Sequence, residues 1–188
     1  EQRHPLLGIS SMMALAIHPT TQVAYVIAAG LGSGVWRSSD RGVTWERRGS
    51  IEASDRVTGL ALDPEDATTL FVTRAGPGDG SMLLVSNDAG GSFVSYPQER
   101  ALRLLAVQAA PLGMWSVARA LDSIGNRGFE ILHASDAQAP WTKALRVNYF
   151  GGLTIAPDGA IWVGDEGGGV YRSTDAGASF VAIDARSR

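Results

Sequence analysis

One short pattern returns along the chain at nearly fixed spacing, and it constrains the fold more than any other feature. The segment RSSDRGVTW at 37–45 carries a serine, an aspartate, a glycine, a hydroxyl residue and an aromatic at set offsets. VSNDAGGSF at 85–93 and RSTDAGASF at 172–180 repeat it, so SxDxGx[ST][WF] occurs three times. A weaker version, HASDAQAPW at 133–141, keeps Asp136 and Trp141 but loses the serine, the glycine and the hydroxyl. The aspartates Asp40, Asp88, Asp136 and Asp175 stand 48, 48 and 39 residues apart. Self-similarity at that period is the mark of a repeat architecture, in which each repeat is one supersecondary unit stacked on its neighbours.

A second signal runs in register with the first. Apolar stretches end at a proline in LAIHP, LALDP, VQAAP and LTIAP, placing Pro19, Pro64, Pro111 and Pro157 at intervals of 45, 47 and 46. Within four to seven residues each is followed by an aromatic in a β-rich run: Tyr25, Phe71, Trp115 and Trp162. Proline fixes φ and closes one strand; aromatic and β-branched residues open the next. Glycine-containing turns follow, then a third strand that runs into the aspartate motif, then a fourth beyond it. Four short strands per period of about 45 residues make a propeller blade. The expected fold is therefore all-β, a β-propeller of four-stranded antiparallel blades. This chain supplies four, in repeats spanning about 11–50, 56–97, 102–145 and 148–184, as one domain. Four blades either close as a small ring or form part of a larger propeller, a second chain being one way to complete it.

Within this frame the aspartate motif is a turn. The side chains of Asp40, Asp88, Asp136 and Asp175 can accept backbone N–H groups, with Ser38, Ser86 and Ser173 doing the same more weakly. Gly42, Gly90 and Gly177 supply a left-handed conformation that a side chain would penalise. Thr44, Ser92 and Ser179 complete the motif, and Trp45, Phe93, Trp141 and Phe180 begin the outer strand with a large apolar face to bury.

Composition removes several classes. A chain of 188 residues can bury roughly 70% of the surface its unfolded form exposes, so no staple is required. Cysteine is absent, which excludes disulfides and thiolate metal sites. His4, His18 and His133 lie far apart without ligand spacing, so neither a metal nor a cofactor is expected. A net charge of -3 offers no bulk attraction to nucleic acid or anionic lipid, and the apolar runs are too short to span a membrane. GLGSG at 30–34 and DEGGG at 165–169 lead into strands, so they are hairpin turns; DPEDATT at 63–69 is a surface turn. The chain starts at Glu1 with no signal-like segment, as a processed protein or a piece of a longer one would.

At these residues the sequence resembles the Asp-box, or BNR, repeat superfamily of sialidases, xyloglucan-active glycoside hydrolases, sortilin-type receptor domains and photosystem II assembly factors. The resemblance runs from about Met12 to Ile183. It implies a propeller, with ligands on the face opposite the Asp boxes, where second-to-third-strand turns and blade-to-blade links converge. Arg56, Arg74, Arg100, Arg103, Arg119, Arg127 and Arg146 lie in those segments. Arg56 and Arg103 each precede their proline by eight residues, Arg100 and Arg146 by eleven, and Tyr149 takes the eight-before position in the fourth repeat. Arg56, Arg100, Arg103, Arg146 and Tyr149 are thus the candidate partner-binding residues, suited to a carboxylate, a sulfate or an acidic tail. The alternative is a set of solvated charges balanced by Glu52, Asp55, Asp79, Glu99, Asp122, Asp165 and Glu166.

Two functional readings follow. The first is a non-catalytic binding or assembly propeller, extracytoplasmic and bacterial, which takes a protein partner, for example part of a membrane-protein complex. The second is a glycoside hydrolase. A sialidase-like site would recruit Arg56, Arg103, Arg146, Tyr149 and Glu52, but the Arg-Ile-Pro type motif is missing. A xyloglucanase-like site would need two carboxylates across a cleft, with Asp55, Asp122 and Asp165 as candidates. No catalytic residue is assigned.

Overall fold

The structure, a computed structural model, describes residues 11–30, 32–51, 56–78, 80–103, 105–109, 113–121, 124–125 and 127–183. Pro111, Glu52, Asp55, Asp79 and Asp122 lie outside them. The described residues form strands and turns only. Among the described residues sixteen strands pair as four antiparallel sheets of four, each in sequence order, and the chain is an all-β propeller of four blades.

Blade 1 is β1 (Ser11–Ile17), β2 (Ala24–Ala29), β3 (Gly34–Ser38) and β4 (Glu46–Gly49). Blade 2 is β5 (Val57–Leu62), β6 (Leu70–Ala75), β7 (Ser81–Ser86) and β8 (Val94–Gln98). Blade 3 comprises β9 (Leu105–Gln108), β10 (Gly113–Leu121), β11 (Arg127–Ala134) and β12 (Thr142–Val147). Blade 4 comprises β13 (Phe150–Ile155), β14 (Ile161–Asp165), β15 (Gly169–Ser173) and β16 (Val181–Ile183). Two compact units divide at Leu105, the first holding blades 1 and 2.

In unit 1 the core lies between two sheet faces. Alternation puts Tyr25, Ile27 and Val35 on one face of blade 1, where they pack on Leu62, Leu70, Val72, Leu84 and Ala89 of blade 2. Tyr25 is fully buried, and its hydroxyl donates to the Ala67 carbonyl 2.8 Å away in the proline turn of blade 2. In unit 2, Met114, Trp115, Val117, Ile131, Leu132, Ile161 and Val163 are buried. Trp115 packs against His133, its cross-strand partner, at 4.6 Å between centroids, and meets Phe180 edge-on at 6.4 Å. Burial holds the His133 imidazole below its ordinary pKa.

The other sequence motifs settle as turns. His18 is buried in the first proline turn, where its Nδ1 accepts the Thr21 N–H at 3.2 Å. Asp63 and Asp66 accept the N–H groups of Glu65 and Thr68, both at 2.9 Å, so DPEDATT spends these carboxylates on its own backbone. The glycine-rich segments close hairpins, with Ser33 N–H donating to Gly30 O at 3.0 Å and Gly168 N–H to Asp165 O at 2.9 Å.

Candidate functional site

The three complete aspartate motifs form the same turn. In the first, Ser38 Oγ donates to Asp40 Oδ1 at 2.8 Å and accepts the Gly42 N–H at 2.8 Å. Asp40 Oδ1 also accepts the Thr44 N–H at 2.8 Å, and Oδ2 accepts the Thr44 hydroxyl. Ser86, Asp88, Gly90 and Ser92 repeat the set, as do Ser173, Asp175, Gly177 and Ser179. These bonds favour the ionised carboxyl. Led by the hydroxyls of Thr44 and Ser179, they hold Asp40 and Asp175 at about 2. Asp88, bonded first by the Ser92 hydroxyl, lies well below the usual carboxylate range.

Each turn contains two left-handed residues. Gly42, Gly90 and Gly177 have φ of 87°, 83° and 84°, as expected for glycine. The residues before them, Arg41, Ala89 and Ala176, also have positive φ at 61°, 59° and 54°. The turn thus imposes a conformation that costs a non-glycine residue roughly 1–2 kcal/mol, and the carboxylate bonds offset it. Both oxygens of these aspartates accept hydrogen bonds from their own turn, so each carboxylate holds the turn together.

The ends of the blades opposite these turns hold the arginines. Each candidate occupies such an end within its own unit. Arg56 is exposed just before β5, and its carbonyl accepts the Ala75 N–H at 2.8 Å. Tyr149, just before β13, is 61% exposed, and its carbonyl accepts the Glu166 N–H at 3.1 Å. The eight-before positions of repeats 2 and 4 are therefore structurally equivalent. Arg100 and Arg103 lie in the link after β8, which is tied to the β6–β7 turn by Ser81 Oγ donating to Arg100 O at 2.7 Å.

In unit 2 the same end opens into a cleft of about 900 Å³, lined among others by Arg119, Leu121, Arg127, Phe129, Asn148 and Tyr149. The long β10–β11 hairpin builds it. Arg119 lies opposite Phe129 and Leu121 opposite Arg127 in the ladder, so the period of two puts all four side chains on one face. Phe129 rests on Phe150 with ring centroids 6.2 Å apart. Arg146 lies on the other face, opposite Glu130, with its guanidinium over Gly128; a Cβ there would sit 3.1 Å from Nη2. Arg119 and Arg127 are exposed, and among the described residues neither makes an ion pair. Two forked cations above an aromatic floor can hold a carboxylate bidentately and pack an apolar group beside it.

The carboxylate candidates fare differently. Asp165 Oδ1 accepts the Tyr149 N–H at 3.2 Å and the Gly167 N–H at 2.8 Å, so its side chain fixes the turn under Tyr149. Asp55 and Asp122 lie outside the described residues. Sequence reasoning named Arg146 and Tyr149 for this end through repeat register. It missed Phe129 and Asn148 and did not single out Arg119 and Arg127, which the alternation of the 119–129 hairpin would have paired.

No protein-family model matches the chain, and no curated protein does. Solved structures are similar. YCF48 bound to D1 peptide shares 13% identity at a TM-score of 0.61, covering 98% of this chain and 60% of its own. YCF48 from Cyanidioschyzon merolae gives 14% and 0.62 over the same shares. The GH74 xyloglucanase from Xanthomonas campestris gives 18% and 0.65, over 96% of this chain and 31% of its own. At these identities the likeness concerns the fold. The chain spans about 60% of the length of YCF48 and 31% of that of the GH74 enzyme.

Proposed function

We propose that this chain is a non-catalytic binding module that recognises an acidic segment of a protein partner with the loop ends of its blades. The Arg119–Arg127 pair above Phe129 carries the reading: two cations that make no ion pair among the described residues line a cleft with an aromatic floor. Tyr149 borders the same cleft, Arg146 stands on the other face of the β10–β12 ladder, and Arg56, Arg100 and Arg103 occupy the equivalent end of unit 1. The blades fix these loops before contact, so little ordering entropy is lost on binding. YCF48 has been solved with a D1 peptide, which makes a peptide a reasonable occupant of a fold like this one. The partner is taken to be extracytoplasmic.

The test is fluorescence anisotropy with labelled peptides that end in acidic residues and a free carboxylate. Each charge-assisted hydrogen bond contributes about 1.5–3 kcal/mol, so Arg119→Ala or Arg127→Ala should weaken binding by at least tenfold while thermal unfolding is unchanged. Equal affinities for parent and variants would remove the reading. Release of sugar from a xyloglucan or sialoside panel would replace it with a hydrolase.

A further inference from the structure

Each compact unit holds one joint between neighbouring blades, and the two joints differ in charge. In unit 1 the aromatic Tyr25 of blade 1 stands beside the aspartate turn of blade 2; in unit 2 Trp115 of blade 3 stands beside that of blade 4. The outer strand pair of the first blade is bulged at the same place in both. Pairing of β3 with β4 shifts between Val35 and Trp36 and leaves Arg48 as the extra residue, while pairing of β11 with β12 shifts between Ile131 and Leu132 and leaves Ala144. A bulge re-aims one side chain, so Arg48 and Ala144 hold equivalent positions.

Arg48 spans the joint of unit 1. Its Nη2 donates to Asp88 O at 3.3 Å and its Nε to Ala89 O at 3.4 Å, both on the aspartate turn of blade 2, and its Nη1 lies 3.7 Å from Glu46 Oε1. Asp88 O also accepts the Gly91 N–H at 3.4 Å, so this carbonyl serves its own turn and the guanidinium together. Arg37, the cross-strand partner of Tyr25, brings a second guanidinium to the same ring. Unit 2 keeps the turn and lacks both arginines. Asp175 O accepts the Ala178 N–H at 3.2 Å, and among the described residues no donor reaches Ala176 O. Ala144 stands where Arg48 does, His133 where Arg37 does and Thr142 where Glu46 does. Between them lies a cavity of about 330 Å³, lined by Trp115, His133, Thr142, Lys143, Ala144 and Gly177 among others, all of unit 2. The Lys143 ammonium is 3.9 Å from Glu130 Oε1.

We propose that the joint of unit 2 takes an arginine guanidinium from outside its two blades, set between Ala144 and the aspartate turn of blade 4 as Arg48 is set in unit 1. The carbonyls of Asp175 and Ala176, counterparts of Asp88 and Ala89, are its acceptors. The rings of Trp115 and His133, which line the cavity, offer surfaces on which a planar cation stacks. Blade 4 shows that contact at the equivalent cross-strand pair, where the Arg172 guanidinium lies 5.2 Å from the Trp162 ring. A guanidinium suits the site better than an ammonium, because its rigid fork reaches two carbonyls at once, as Nε and Nη2 of Arg48 do. Free arginine and an arginine side chain of another polypeptide both present this group. The site adjoins the aspartate turns, at the ends of blades 3 and 4 opposite Arg119 and Arg127, and is independent of the peptide reading.

Nuclear magnetic resonance on the nitrogen-labelled full chain provides the test, with titration of L-arginine, an end-capped Gly-Arg-Gly peptide and its Gly-Lys-Gly counterpart. The reporter is the buried Trp115 indole N–H, assigned by loss of its signal in Trp115→Phe. It should shift saturably with the arginine peptide, and the lysine peptide should bind at least tenfold more weakly. Ala144→Arg supplies the guanidinium from within the blade and should abolish the shift. Ala144→Met, which fills the space without charge, should do the same and serves alone if the arginine variant fails to fold. Tighter binding of the peptide than of L-arginine assigns the group to a polypeptide, and the reverse or equal affinity assigns it to the free amino acid; either upholds the proposal. No saturable shift with either arginine ligand overturns it. So does equal affinity for lysine, and so does binding that survives the substitutions at Ala144.

Discussion

At the scale of single residues, the aspartates of the three complete turns link folding to protonation. Asp40 and Asp175 are held at about 2, and Asp88 lower still, against roughly 3.9 for an unfolded aspartate. Their folded pKa is depressed, so the unfolded chain binds protons more readily at acid pH. The stabilisation from these turns is complete above the unfolded value and is lost as pH falls through about 4 towards 2. Thermal melts between pH 6 and pH 2 should therefore show a falling midpoint below about pH 4. Replacing Asp40, Asp88 and Asp175 together with Asn should flatten that fall, because the titrating group is gone. An equal acid slope in parent and triple variant would show that the turns do not carry the linkage. His133 contributes at higher pH with the same sign, since burial lowers its folded pKa and acidification favours the unfolded chain.

Elements explain both what was legible and what was not. Proline, aromatic and aspartate signals repeat in step, so sixteen strands and four blades are legible in the sequence, each strand being bounded by a residue that physically ends or starts it. The third turn shows the limit. Its Asp136 stands in register, but Pro140 replaces the residue whose N–H the other aspartates accept, and Pro has no N–H. The carboxylate bonds Gln138 and Ala139 instead, both at 2.8 Å, in a turn of a different kind. Left-handed Arg41, Ala89 and Ala176 were missed for another reason: these residue types do not announce positive φ. The cleft was legible only in outline, because register places Tyr149, while Phe129 enters through the path of the β10–β11 hairpin and Asn148 through the link after β12. Joint packing makes a further prediction at this scale. Gly90→Ala forces a methyl against Val35 in addition to its backbone strain, so it should cost about 1–3 kcal/mol more than Gly42→Ala, whose Cβ makes only an ordinary contact with Trp45 at 3.8 Å. Urea denaturation of both variants checks this, and equal costs would mean that the blade 1–blade 2 joint yields without resistance.

For the whole molecule, charge decides what kind of binding the peptide reading allows. The net charge of -3 repels an acidic peptide weakly at long range, so the protein cannot steer such a ligand in. Attraction must come from Arg119 and Arg127 at short range, where forked hydrogen bonds form and water leaves. The consequence is kinetic. Association should run near the unsteered rate of about 10⁵–10⁶ M⁻¹s⁻¹ and change little between low and high salt. Dissociation should carry the specificity, and Arg127→Ala should speed it at least tenfold while leaving association nearly unaltered. Stopped-flow measurements at two ionic strengths separate the two rates. A steep fall in the association rate with salt would place the attraction in a field larger than two arginines can supply, and binding would then have to be sought over a broader surface than this cleft.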